Sequence, residues 1–385
     1  MLRGALVNAL SFILCFANIV GICCFQTTPS IVYGIAQLKG SPGINLVQVN
    51  ATDGSTKVLQ SVRYEAVAQE LSSLDRVKNI YYIIGLNNTG QYKHPALLGF
   101  DLNNRGKLTV EVPLPFFELS FVGVSQAVQV DPVTSNVVLV GLDGTKKPPY
   151  HNVLLYDTKE KKLEDILHIP GSGIAVLGAT STMDDQGNGY FTFALNSSGR
   201  VSTSIFVVPT RGSKVGSYTQ MPETTQNHFA TMDFDMKTKK IYGVLGAERG
   251  KWEIGFYDVP RKKWYTKPIL LESTWVGGIA SVSAFSSNSR TLSLLLQPGT
   301  PEKPFQPSST CAPKCAKDSL CCIDPKEGTA SCFAVKTCSQ ITPGGGAPNM
   351  TLPFKLAQFN VDSGSLIASP DLCTLEYCPW SLESE

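Results

Sequence analysis

Apolar and polar positions alternate along this chain in short bursts, and the bursts come in pairs. A brief apolar run ends in Asp or Asn, a polar turn follows, and a second apolar run leaves it. The pattern occupies residues 45–59, 97–112, 153–169, 204–221, 254–269 and 356–367. Period-two alternation within runs this short predicts β-strands with one face more buried than the other. Between Asn50 and Asp258 the acid or amide that ends the first run recurs at spacings of 51, 56 and 101 residues. The last spacing spans two copies, because the fourth copy carries no Asp at this place.

Each copy carries a further pair of apolar runs upstream, as at 126–130 with 136–141, 229–234 with 240–245, and 279–285 with 290–296. Four short strands per unit of roughly 40 to 50 residues is the sequence mark of a β-propeller. A single four-stranded sheet cannot bury both faces, whereas sheets packed radially bury each face on the next. The expected fold is therefore all-β, a six-bladed propeller, with a seven-bladed or differently phased ring and a β-sandwich as alternatives. Ala66, Ala68, Ala127, Ala179, Ala230 and Ala280 fall on the expected inner strands, where small side chains suit the crowded axis. Residues 64–77 have a helical composition, but the repeat assigns them to an inner strand. The first unit lacks an inner strand of its own, and the tail at 374–382 is expected to supply it and close the ring.

Cysteine placement adds a compartment to this picture. Three of the 11 cysteines precede residue 25, none lies between Phe25 and Thr310, and eight follow. Arg3 is the only charged residue before Lys39, and an apolar run from Ala5 to Phe25 follows it. A basic start and an apolar run read as a secretory signal peptide over 1–24, with an uncleaved anchor as the alternative. No second run reaches the roughly 18 apolar residues that another span needs. Asn-x-Ser/Thr sequons at Asn50, Asn87, Asn196 and Asn349 fall where turns are expected, as glycan acceptors require. The expected localisation is secreted and extracellular. Lys and Arg number 33 against 31 for Asp and Glu, a balance that argues against a nucleic-acid binder.

The propeller is expected over 25–296 and 354–385, interrupted at 297–353 by a cysteine-rich insertion in the last blade. Cys311, Cys315, Cys321, Cys322, Cys332 and Cys338 crowd into this segment. A module so short cannot fold on its core alone, so disulfides are expected to staple it. Cys373 and Cys378 follow, pairing with each other or tying the tail to the propeller. A zinc site is disfavoured, because no Cys-x-x-Cys pair and no nearby His occur. The adjacent Cys321-Cys322 pair loosely resembles small secreted cysteine-knot and whey-acidic-type modules, with too few cysteines and the wrong spacing for the latter.

No nucleophile elbow, zincin helix or phosphate loop is present. His168 reads as structural, and His94 and His151 as loop residues. The loops entering the inner strands bring candidate chemistry to the axial opening. Glu65, Glu118, Asn227 and Glu272 offer oxygen ligands that suit calcium, the one cofactor the sequence suggests. Tyr64, Phe117 and Trp275 offer an aromatic platform for a sugar or peptide. The blade organisation resembles secreted six-bladed propellers that include calcium-dependent lactonases and esterases. That resemblance implies carboxylates and amides near the axis with a histidine base, a part His228 would take. The expected function is nevertheless extracellular binding of protein or glycan, with no membrane contact beyond the leader. The calcium-dependent hydrolase is the alternative.

Overall fold

The computed structural model describes residues 31–36, 43–66, 72–87, 94–114, 126–143, 150–170, 174–197, 200–220, 228–246, 252–269, 279–296, 306–307, 311, 319–323, 330–333, 354–373 and 379–384. Six antiparallel sheets stand around one axis, and the innermost strands of successive blades touch all the way round. From the axis outward, blade 3 runs Gln126–Val130, Val137–Asp143, Tyr150–Asp157 and Lys162–Pro170. Blade 5 repeats it as His228–Asp235, Lys240–Gly246, Trp252–Asp258 and Lys263–Ile269. The fold is a six-bladed β-propeller, which excludes the seven-bladed and sandwich alternatives.

Burial explains why the strands read as near-continuous apolar runs. Each of six apolar clusters lies between two successive blades. Between blades 2 and 3, for example, Tyr82, Ile84 and Leu97 pack on Val128, Leu139 and Leu154. Both faces of every sheet are thus withdrawn from water, the condition that stabilises radial packing.

Closure follows the expected route with a shifted boundary. Pro379–Ser384 pairs antiparallel with Ile31–Ala36 and becomes the innermost strand of blade 1, beginning five residues later than the expected tail strand. The helical composition at 64–77 does not produce a helix among the described residues 64–66 and 72–77. Tyr64–Ala66 and Ser72–Asp75 both pair with Ile80–Asn87, because only a strand continues the sheet there. Blade 4 departs from the repeat at its rim, where a 3-10 turn at Gly212–Lys214 leaves a fourth strand of only Thr219–Gln220. His94 and His151, expected in loops, begin third strands, and His151 is fully buried. His168 is exposed on the outer strand of blade 3 and bonds Asn152 Oδ1 at 2.8 Å.

The recurrent Asp or Asn is a turn cap. Asp75, Asp131, Asp184 and Asp235 end inner strands, and the Oδ1 of each accepts backbone N–H groups of the next turn. Asn50, Asp101, Asp157, Asp258 and Asn360 do the same after third strands. Such Asx turns satisfy donors that a tight reversal otherwise strands. Both sets of turns emerge at one end of the ring and hydrogen-bond each other, as when Leu102 N donates to Asn79 O at 2.9 Å.

The insertion builds a sheet of its own from Gln306–Pro307, Leu320–Ile323 and Ala330–Phe333. Cys311 and Cys321 form a disulfide, and Cys322 and Cys332 are disulfide-bonded as well. Cys315, Cys338 and Cys378 lie outside the described residues, as do the leader and Asn349. Among the described residues no helix is long and apolar enough to cross a membrane.

Candidate functional site

The sequence directs attention to the loop end of the ring. Phe117, Glu118, Asn227, Glu272 and Trp275 lie outside the described residues. Glu65 and His228 open inner strands at that end, placed by their backbone opposite Leu86 and Gly246. Tyr64 is buried between blades 1 and 2 rather than presented to solvent. Its hydroxyl donates to Glu111 Oε1. Burial and that carboxylate push the phenol up to about 12. No group of His, Cys, Asp and Glu suited to hold a metal ion occurs among the described residues.

The opposite end, where the capped turns meet, carries a cavity of about 210 Å³ on the axis. Blades 2, 3, 4 and 5 line it through Leu74, Arg76, Val130, Met183, Asp233 and Phe234. Val77 and Met236 stand at its rim and are exposed by 67% and 38%. Val133, 55% exposed, follows the lining residue Pro132 in the next turn.

Most polar groups around the cavity already join blades. Val130 N donates to Ser73 Oγ at 3.0 Å, and Phe234 N donates to Thr182 Oγ1 at 3.0 Å. Gln129 Nε2 donates to both the carbonyl and the hydroxyl of Ser181, each at 2.9 Å. Ser73, Gln129, Thr182 and Asp233 each stand two residues before the end of the turn-capping pattern in their own blade. Blade 5 alone among these four places a carboxylate there. Burial pushes the Asp233 carboxyl up, while the nearby Arg76 charge and a hydrogen bond from Ser283 Oγ at 3.0 Å pull it down less strongly.

Two turn-capping aspartates, Asp131 and Asp235, and Asp185 beside a third are committed to ion pairs. Arg211 pairs with Asp131 at 2.8 Å, Lys239 with Asp185, and Arg290 with Asp235, each across a blade boundary. Burial pushes Asp235 up, but hydrogen bonds from Thr238, Ser287 and the Lys237 N–H, with the Arg290 charge, hold it below the ordinary carboxylate value. The cavity thus carries apolar side chains at its rim, with the exposed Arg76 and the half-buried Asp233 in its lining.

No family model matches the chain, and no curated protein matches it. Among solved structures it resembles the periplasmic gluconolactonase PpgL of Pseudomonas aeruginosa, with a TM-score of 0.50 and 12% identity over 92% of this chain and 98% of that one. TolB of Acinetobacter baumannii gives a TM-score of 0.43 at 12% identity over 80% of this chain, which spans 64% of TolB's length. A gluconolactonase of Xanthomonas campestris gives 0.38 at 11% identity, over 69% of this chain and 82% of that one. The likeness is one of fold. Identity this low carries no residue of those proteins' chemistry onto this chain.

Arg76, Asp233 and Met236 are not marked by any motif, because they lie where inner strands end rather than on the loops that enter them. One signal was available. The doublet Asp233-Phe234-Asp235 places two carboxylates on the same side of a strand, and a turn cap needs only the second.

Proposed function

We propose that this chain is a secreted glycoprotein that works as an extracellular binding module for protein or glycan. The observation that carries the reading is the axial cavity at the turn end. Its rim exposes Val77 and Met236, Arg76 (itself exposed) and the half-buried Asp233 line it, and its remaining polar groups are spent on joining blades. Exposed apolar side chains grouped around a partly charged pocket mark a site of binding. Disulfides in the insertion, the apolar leader and the sequons, of which Asn50, Asn87 and Asn196 stand at strand ends, support secretion.

The test uses the purified secreted protein on arrays of extracellular domains and of glycans, beside the double variant Val77→Asp/Met236→Asp. Discrete binding that the double variant loses supports the reading. Binding indifferent to those two changes contradicts the assigned site. Calcium-dependent turnover of a lactone or ester without such binding would replace the module with the hydrolase, its site among Glu65, Glu118, Asn227, Glu272 and His228.

A further inference from the structure

Apart from the Asp184 turn, which places Gly187 fourth, every capped turn places a left-handed residue fifth when counted from its Asp or Asn. Glycine fills that place at Gly54 and Gly364, with φ of 73° and 74°, and asparagine fills it at Asn79, with φ of 55°. These residues adopt positive φ at little cost. Ser135 and Lys239 take it with φ of 61° and 57°, Lys239 pairing with Asp185 across a blade boundary, and Arg105, Lys161 and Lys262 occupy the same place with φ of 53°, 54° and 52°. A long side chain gains nothing there from the backbone and adds strain. Strained positions that recur point to a function for the side chain.

All three cations are exposed, and none enters a hydrogen bond or ion pair among the described residues. Lys78, Lys214 and Lys237 are exposed on the same face. The exposed acids are fewer and largely engaged. Glu160 lies 3.9 Å from Lys159, and Asp362 is bonded to Arg290 at 2.7 Å, leaving Asp53. The capping aspartates sit recessed beneath, with backbone N–H groups directed at them. The turn face therefore presents cations at its tips and keeps its carboxylates below.

We infer that this face binds a sulfated polyanionic glycan, with Arg105, Lys161 and Lys262 as charge contacts. The inference rests on the secreted reading. The anionic membrane leaflet is the cytoplasmic one, so outside the cell an extended polyanion is a sulfated or carboxylated glycan. Multiple cations spread over one face suit a repeating chain of charges and give binding that salt weakens steeply.

The experiment compares wild type with the triple variant Arg105→Asn/Lys161→Asn/Lys262→Asn on immobilised heparin and on phosphatidylserine vesicles. Asparagine tolerates the left-handed backbone, so the variant keeps its fold, and urea unfolding checks this. Wild type should be retained on heparin above about 0.3 M NaCl, and the variant should elute near about 0.15 M. The slope of log affinity against log salt should fall by about 2 to 3 in the variant, as loss of three contacts requires. Equal retention of the two proteins, or wild-type binding to the vesicles and not to heparin, overturns the inference. An intracellular protein that heparin retains loses the secreted reading and not this surface. A secreted protein that passes through the column loses the surface alone.

Discussion

Arg76 of blade 2 donates from Nη2 to the carbonyl oxygen of Phe285 in blade 6, at 2.9 Å. Blade 1 lies between them in the ring, and its innermost strand is the C-terminal Pro379–Ser384. The first and last parts of the propeller are thus tied twice, once by the tail strand and once by this guanidinium. A chain ending at Cys373 should lose on the order of 5 kcal/mol or more, a large share of a typical domain's stability. Arg76→Met should lose about 1 to 3 kcal/mol, the range for a hydrogen bond from a charged donor. Thermal melts of the two proteins check the order of these losses.

Arg290 joins blades 5 and 6 by pairing with Asp235, whose side chain is 0% exposed, and by donating to the Tyr242 hydroxyl at 2.7 Å. Arg290→Met leaves a buried carboxylate without its cation and should cost about 3 to 5 kcal/mol. Asp362→Asn removes only an exposed partner and should cost less than about 1 kcal/mol. Asp235 and Asp185 are both held below their unfolded values. Their stabilisation is complete above about pH 4 and is lost as the pH falls through the folded values. Urea unfolding of wild type should therefore weaken towards acid, and Arg290→Met should show a shallower acid limb.

Asp233 has the opposite sign, because burial raises its carboxyl. Such an acid favours the fold while protonated, and its contribution declines as the pH climbs above about 4. Asp233→Asn keeps an acceptor for Ser283 and removes the charge. Its melting temperature should exceed that of wild type at about pH 7 and match it near about pH 3. A lower melting temperature at neutral pH would show that the charged form is held by Arg76 after all.

The insertion has its own sheet, so its staples should matter to it and little to the ring. The Cys311–Cys321 bond closes a sequence separation of 10 residues, which in the chain-entropy model is worth about 2 to 3 kcal/mol. Cys311→Ser/Cys321→Ser should open the insertion to protease while the main melting transition moves by less than about 2 °C. A collapse of that transition would mean that the insertion props the propeller.

Much of this fold is legible in the sequence because the same physical demand recurs in every blade. Asp101, Asp157 and Asp258 are visible as a repeat because each must cap a tight turn. The missing inner strand of blade 1 is visible because three strands leave a face open. The boundary of the tail strand is not legible, since nothing local separates 374–378 from 379–384. His151 reads as a loop residue beside Pro148 and Pro149, yet the third strand of blade 3 extends to cover it. The turn-end cavity is legible only through Asp233, because the pocket arises from four blades whose lining residues share no motif. Left-handed backbone at Arg105, Lys161 and Lys262 is likewise hidden, since composition prefers Gly or Asn there.

The proposed function requires this propeller to bind a partner outside the cell. Saturation binding of the labelled secreted protein to intact cells, beside Val77→Asp/Met236→Asp and the triple asparagine variant, tests it most directly. The account predicts saturable binding that both variants weaken, the asparagine variant in a salt-dependent manner. Absence of saturable binding, or binding that neither variant alters, would contradict it.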